Sequence, residues 1–420
     1  MPPRTADPPA QRLEVLDLLR GLALGGMLLV HFQYYASGGE GSAPAAVLGP
    51  IAGALGSAYT LFAFLFGASF GFQLLRAQAA GRPFGSFAAM MARRLLVLAV
   101  LGYVSETLTG YRVLNLYVLS GFALLPLARC SARTLAILAA ASLLAGPAVT
   151  LAHGLAIRST QGAAAAEEAA VAHKQAYRRM LQERDQAKAA GGYRAIVAVQ
   201  ARQTLAAYAD PWSYVPGEMV ALALLGLAAV KRGVFQALLG SDPEEPGPAG
   251  RSRRRRWALL ACIACTALGA AGMVFWSRWP KADLGFKPLT FAVGDAIGGV
   301  LSDRWLGFAF AFFLVWLTFT GDGIRRALSP VASAGRLAIS FYLFHIFLLE
   351  LLLGGYWLHF ELTPLALFLW AAALYAAMMT FAHLWLRRFQ YGPVEWAWRS
   401  FAHFALRPMR AGEAPSGAQR

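Results

Sequence analysis

Among the ionisable side chains inside apolar stretches of this 420-residue chain, where such groups are costly and rare, three come first. They are His31, at the end of LDLLRGLALGGMLLVHF (residues 16–32), and His345 and Glu350 in SFYLFHIFLLE (residues 340–350). A neutral imidazole titrates near pH 7 and can take a proton from a hydroxyl or amine as it attacks an acyl carbon. For His31 the plain alternative is a buried, hydrogen-bonded histidine. Together with His345 and Glu350 in a low-charge bundle, it reads rather as part of a polar pathway. Tyr342, one turn before His345, is a candidate substrate contact. His383 ranks below these, because Trp385 and Arg387 beside it suggest an interfacial position.

Arg20 precedes His31 by 11 residues. On an α-helix that offset ends about 20° past three full turns and about 16 Å along the axis, so both side chains share one stripe. The helix then presents a cation at one membrane face and an imidazole deep inside. Arg93, Arg94, Arg325, Arg326, Arg336, Arg387, Arg388 and Arg399 are expected at the same end as Arg20. Such a cluster suits a multiply phosphorylated ligand, although each arginine taken alone fits ordinary loop charge. Arg20, Arg93, Arg94, Arg336 and Arg399 are the candidate phosphate contacts. Glu106 and Glu218 either border an outer pocket that holds substrate or are solvated helix ends. There is no Gly-rich phosphate loop, metal-ligand cluster or nucleophile elbow. The C-x-x-C of Cys262 and Cys265 lies within an apolar run, and three cysteines make no disulfide framework.

The elements that must position these residues are membrane helices. Hydrophobic residues make up 58% of the chain and charged ones only 14%, about half the charge of a soluble domain. The expected fold is all-α and polytopic, with about ten spans: 15–36, 57–75, 95–108, 113–128, 134–155, 213–230, 257–277, 304–320, 335–353 and 364–386. Residues 1–14 read as a polar, disordered lead, and no cleavable signal peptide is evident. Residues 156–211 are Ala-rich with regular charges and read as helices outside the membrane, broken at Gly191-Gly192. A basic linker covers 231–256, segment 284–303 reads as interfacial or re-entrant, and 389–420 is a basic tail. Gly67 and Gly71 are spaced for close helix contact. Placing both termini in the cytoplasm puts nearly all short-loop Lys and Arg inside. By that rule the net charge of +16 reflects loops on one side of the membrane, and nucleic acid is not an expected partner.

LDLLRG…LLVHF, LFAFLFGASFGF, RRLLVL, GRLAISFYLFH and the terminal YGPVEWAWRS together resemble the YeiB-like membrane proteins, whose C-terminal part is a domain of unknown function 418. GPVEWAWR directly after the last span is the most specific piece. The resemblance implies kinship with transmembrane acyltransferases, among them acyltransferase family 3 and the heparan-glucosaminide acetyltransferases, which carry acyl groups from cytosolic acyl-CoA to acceptors across the membrane. The Arg20–His31 spacing is similar to the Arg and His pair of acyltransferase family 3, where the His is taken as catalytic. Many YeiB-like members carry Asn where His31 stands. Ser105 and Arg112 replace a His and an Asp common in the family. The reading that results is a bacterial inner-membrane acyltransferase using acyl-CoA, with acetyl-CoA the expected donor and no metal. Its expected partners are membrane lipids and a glycan, lipid or small-molecule acceptor, with room for a homodimer. Direct transfer and an acyl-histidine intermediate both remain open. The rival reading is a transporter or flippase that uses the same polar residues without covalent chemistry.

Overall fold

The computed structural model describes residues 10–33, 57–190, 192–209, 217–239, 248–279, 284–302, 304–353 and 363–410. Most of the polar lead, the whole 37–56 loop and the chain after Arg410 lie outside the described residues. Those described form 17 α-helices, one short 3-10 turn at Ser57–Tyr59 and no strand. The expectation of an all-α protein holds.

The first half runs through α1 (Ala10–Gln33), α2 (Thr60–Ala79), α3 (Phe84–Thr109), α4 (Val113–Leu127) and α5 (Ala132–Gln161). Next come α6 (Ala163–Ala189), α7 (Tyr193–Ala209), α8 (Glu218–Lys231), α9 (Val234–Leu239) and α10 (Pro248–Arg278). The chain closes with α11 (Lys287–Val300), α12 (Trp305–Thr318), α13 (Asp322–Ala327), α14 (Ser329–Arg336), α15 (Ala338–Leu352), α16 (Pro364–Trp385) and α17 (Pro393–His403). Large apolar side chains on α3, α5, α10 and α16 face outward, among them Val100 (64% exposed) and Ile137 (60%). His31, Glu106, His345 and Glu350 face inward. An apolar belt around a polar interior is the pattern of a helix bundle solvated by lipid.

Seven helical stretches among the described residues are long and apolar enough to cross a membrane, or eight if the bent pair α14–α15 is one span. The described parts of the expected ten spans fall on helices, but α4 and α8 have only 15 and 14 residues, well under the ~20 that a hydrocarbon core requires. The stretch 287–318, holding α11 and α12, qualifies as one long span, whereas hydropathy divided it into an interfacial segment and a shorter span.

Glycines set the tightest crossings. A Cβ on Gly67 of α2 would lie 1.8 Å from the carbonyl oxygen of Ala223 on α8, and one on Gly226 of α8 would lie 2.0 Å from that of Phe64. Backbones this close gain dispersion contacts, the main attraction left where solvent is as apolar as the helix. Gly71 on the same stripe meets Val230. Helix α1 is the most enclosed of the spans and crosses α14 in the same way. A Cβ on Gly21 would clash with Val331, and one on Gly335 with Asp17. Helix α5, at 30 residues, is about 45 Å long and outruns the ~30 Å core. The chain turns at Gly162, φ +94°, into α6. Helices α6 and α7, on either side of Gly191-Gly192, fold back so that α7 lies on α3 and α6 touches α11.

Helices α14 and α15 meet at 82°. The first turn of α15 has no cap of its own, and Glu395 of α17 supplies one. Its carboxylate accepts from the backbone N–H of Ile339 (2.7 Å) and Ser340 (3.0 Å) and from the Ser340 hydroxyl. A carboxylate at a helix N-terminus satisfies orphan donors and complements the dipole. Gly392 permits the approach, since a Cβ there would lie 2.2 Å from the Glu395 carboxylate. The YGPVEWAWRS segment is thus a clamp fastening α17 to the start of α15.

Candidate functional site

A cavity of about 510 Å3 opens at the arginine-bearing end, between α1, α2, α3, α4, α15 and α17. That volume lies in the range of small-molecule sites. Five arginines stand on its wall: Arg20, Arg76, Arg94, Arg336 and Arg399. Arg20 is held by Asp17 (2.6 Å) and the Ser69 hydroxyl (2.6 Å). Arg94 bonds the Gln73 amide and lies 4.2 Å from the centre of the Trp398 ring, whose indole N–H donates to the Arg94 carbonyl. Arg399 stacks on Tyr391 at 4.7 Å, and Arg336 donates to the Gln390 carbonyl at 3.1 Å. These contacts fix the guanidinium planes yet leave only two acids, Asp17 and Glu395, on the wall. Arg93 is placed elsewhere: it lies against the Phe404 ring at 4.9 Å and is not among the wall residues.

Inward the cavity becomes apolar, bounded by Phe62, Phe66, Leu95 and Leu98, and it ends at Met27, Tyr117 and Tyr342. His31 lies just past that end. It stands one turn beyond Met27 on α1, with its ring 6.2 Å from that of Tyr342, and it is not part of the wall. Arg20 and His31 share a stripe as the helix period requires, but only Arg20 opens directly onto the chamber. His31 instead is drawn toward α15 by a hydrogen bond.

That bond defines the chemistry available. His345 Nδ1 lies 2.9 Å from the Phe341 carbonyl oxygen, which can only accept, so Nδ1 carries the proton. Neutral His345 then offers a lone pair at Nε2, and His31 Nδ1 donates to it across 2.8 Å. Neutral His31 is left with its proton on Nδ1 and a lone pair on Nε2. The Tyr111 ring lies against that of His31, tilted by 39°, with 4.3 Å between centres, and both imidazoles are buried. The arrangement turns His31 Nε2 into a nitrogen able to accept a proton.

Glu350 is buried on α15, five residues past His345 and therefore about 140° round the helix from it. Its carboxylate is 3.4 Å from Lys188 of α6. One turn earlier on α6, Arg184 reaches the carbonyl of Thr109 beside Gly110 at the end of α3. Helix α6 thereby covers the end of the bundle opposite the arginines. Glu106 is buried beneath that cover and accepts from Arg112 (2.7 Å) and Asn115 (2.5 Å). Glu218 lies apart, paired with Arg304 at 2.7 Å. It borders a second cavity, of about 750 Å3, between α5, α8, α10 and α11. Tyr342 and four of the five candidate phosphate contacts therefore line one chamber, the histidine pair lies just past its inner end, and Arg93, Glu106, Glu218 and Glu350 are not on its wall. Sequence reasoning missed Gln73, Trp398 and Tyr111. The sequence signal for Gln73 and Trp398 was their position one helical turn and one residue from the wall arginines Arg76 and Arg399; Tyr111 carried none.

A multi-pass helical bundle with an arginine-mouthed chamber and an oriented histidine pair is the class of protein defined here. The resemblances read from the motifs hold. Residues 12–170 match the family model described as heparan-alpha-glucosaminide N-acetyltransferase, catalytic, and residues 248–405 match that of a protein of unknown function, DUF418. Among curated proteins, an uncharacterized 39.9 kDa protein in the amylase 3' region of Bacillus acidopullulyticus is 32% identical over 113 residues, 26% of this chain and 30% of that protein. The uncharacterized protein YxaH of Bacillus subtilis is 34% identical over 88 residues, 20% of this chain and 22% of that protein. The chain thus spans less than a third of the length of these relatives. No solved structure matches the chain.

Proposed function

We propose that this protein is an integral-membrane acyltransferase that moves an acetyl or short acyl group from cytosolic acyl-CoA to a hydroxyl or amine acceptor reaching the bundle from the outer side. The observation that carries the reading is the tautomer chain from the Phe341 carbonyl through His345 to His31. It leaves a proton-accepting nitrogen just past the end of a chamber whose mouth is lined with arginine. The match of residues 12–170 to an acetyltransferase catalytic region supports it.

In this reading the N-terminus and the arginine end face the cytoplasm of a bacterial cell, as the loop charges favour. Arg20, Arg94, Arg336 and Arg399 hold the donor's phosphates. The ~16 Å from Arg20 to His31 is of the order of an extended pantetheine arm. His31 Nε2 takes the proton of the acceptor O–H or N–H as the heteroatom attacks the thioester carbon. The C–S bond then breaks, and the imidazolium returns the proton to the CoA thiolate. His345 holds the His31 ring in the productive tautomer. Helices α6 and α7 form an outer cover past which the acceptor is admitted, and Met27 must shift to expose the base.

The test is made on the full chain purified in lipid nanodiscs with acetyl-CoA. Wild type is expected to bind the donor and release CoA. His31→Ala should bind it and turn over ~10²–10⁴-fold more slowly, the usual worth of a general base. Product formation unchanged in His31→Ala would remove the base assignment. Flipping or accumulation of a solute without CoA release would favour the transporter reading.

A further inference from the structure

The hydroxyl of Tyr342 is buried, and it has no hydrogen-bond partner among the described residues. An orphaned buried donor is uncommon in a folded protein and needs a reason. The ring is 4% exposed, borders the inner end of the arginine-mouthed chamber and stands edge-on to both imidazoles, 6.2 Å from His31 and 5.6 Å from His345 between ring centres. A phenol donor therefore sits beside the base, at the point where a donor threaded from the arginines would place its last atoms.

We infer that Tyr342 is the oxyanion donor of this site, its O–H hydrogen-bonding the thioester carbonyl oxygen of the bound acyl-CoA. This rests on the acyltransferase reading above. As the acceptor heteroatom bonds to the carbonyl carbon and gives its proton to His31 Nε2, the C=O π pair moves onto oxygen, and the Tyr342 O–H shortens its hydrogen bond to that growing charge. When the carbonyl re-forms, the C–S bond breaks, and the thiolate takes the proton from His31. Tyr342 keeps its own proton throughout. The group needed is a donor rather than a cation, and a tyrosine supplies one in apolar surroundings where an ammonium would be costly to bury. A fixed donor in a dry site acts most strongly on charge that appears only in the transition state. Its removal should therefore lower kcat and leave donor binding almost intact.

The experiment follows the carbonyl stretch of acetyl-CoA labelled with ¹³C at the thioester carbon, bound to the full-length protein in nanodiscs, together with kcat and KM for CoA release. In wild type the band should move to lower frequency than in buffer. In Tyr342→Phe it should return to its buffer position, with kcat down about 10²–10³-fold and KM within about twofold. A bound carbonyl at its buffer frequency in wild type overturns the inference without any reference to the variant's folding, and so does a band or kcat unchanged by Tyr342→Phe. If wild type binds no acetyl-CoA, or binds it without ever releasing CoA, the acyltransferase reading itself fails. A Tyr342→Phe protein with normal kcat beside an inactive His31→Ala protein leaves that reading standing and removes only the tyrosine.

Discussion

His31 Nδ1 stands 2.8 Å from His345 Nε2, and this contact joins the two halves of the chain. His31 lies in the region resembling an acetyltransferase catalytic part, residues 12–170, and His345 in the DUF418 region, residues 248–405. Neither region holds this hydrogen-bonded pair alone. In the N-terminal region His31 would lack the acceptor that selects its tautomer. In the C-terminal region His345 would have no ring to orient.

The first prediction follows from that division of labour. His345→Ala keeps the His31 ring but frees its tautomer and its rotamer. CoA release should fall about tenfold or more, part of the 10²–10⁴ that a positioned base supplies, and the pH profile of kcat should change shape. Donor affinity should stay within about twofold. A merely structural His345 would lower the amount of folded protein without altering the pH profile of what remains.

The five candidate phosphate contacts divide into four arginines on the chamber wall and one, Arg93, that is not. Arg20→Ala removes a guanidinium held by Asp17 and Ser69 and aimed at the mouth. Acetyl-CoA binding should weaken about tenfold, as expected for one lost charge-assisted hydrogen bond, and the salt dependence of binding should become shallower. Arg93→Ala, which loses only the Phe404 contact, should leave affinity within about twofold. Isothermal titration of both variants at two salt concentrations decides it. Equal effects would show that net charge rather than the chamber governs binding.

Much of this was legible from particular residues. The 11-residue offset of Arg20 and His31 placed them on one stripe, and the Gly67–Gly71 spacing marked a close helix crossing, though not its partner. What hydropathy could not see was depth. A run such as EMVALALLGLAAVK is as apolar as a full span, yet it forms a 14-residue helix largely buried between α2 and α5. A buried helix is apolar all round whether or not it crosses the membrane. The His31–His345 contact was illegible for another reason: it lies 314 residues apart in the chain, and no local period encodes a long-range rotamer. The same holds for Glu395, whose partners Ile339 and Ser340 stand 55 or more residues earlier in the chain.

Glu395 supplies the third prediction. Its carboxylate accepts two backbone N–H groups and a hydroxyl at the start of α15. Glu395→Ala leaves those donors bare, at a cost of about 1.5–3 kcal/mol for hydrogen bonds to a charged group. The apparent melting temperature in detergent should fall by several degrees. Donor affinity should fall with it, because α17 also carries Trp398 and Arg399 to the mouth. Glu395→Gln, which keeps an acceptor oxygen, should recover part of both losses. An Ala variant as stable as wild type would mean that the clamp contributes nothing.

The last prediction concerns how His31 is reached. The imidazole is buried behind Met27 and Tyr342, so an acyl carbon entering from the arginines meets the thioether before the base. Methionine has three rotatable bonds and repacks readily, which suits a side chain that must move aside in each turnover. Met27→Leu nearly conserves volume and should cost less than ~1.5 kcal/mol of stability, but its branched end is stiffer. It should lower kcat several-fold while leaving acetyl-CoA affinity and the melting temperature near wild type. Met27→Phe should deepen the same defect by filling the inner end of the chamber, and propionyl-CoA should suffer more than acetyl-CoA because its extra methylene must share that space. If both variants turn over at the wild-type rate on both donors, the donor does not reach His31 past Met27, and its acyl group must come to the base by another route.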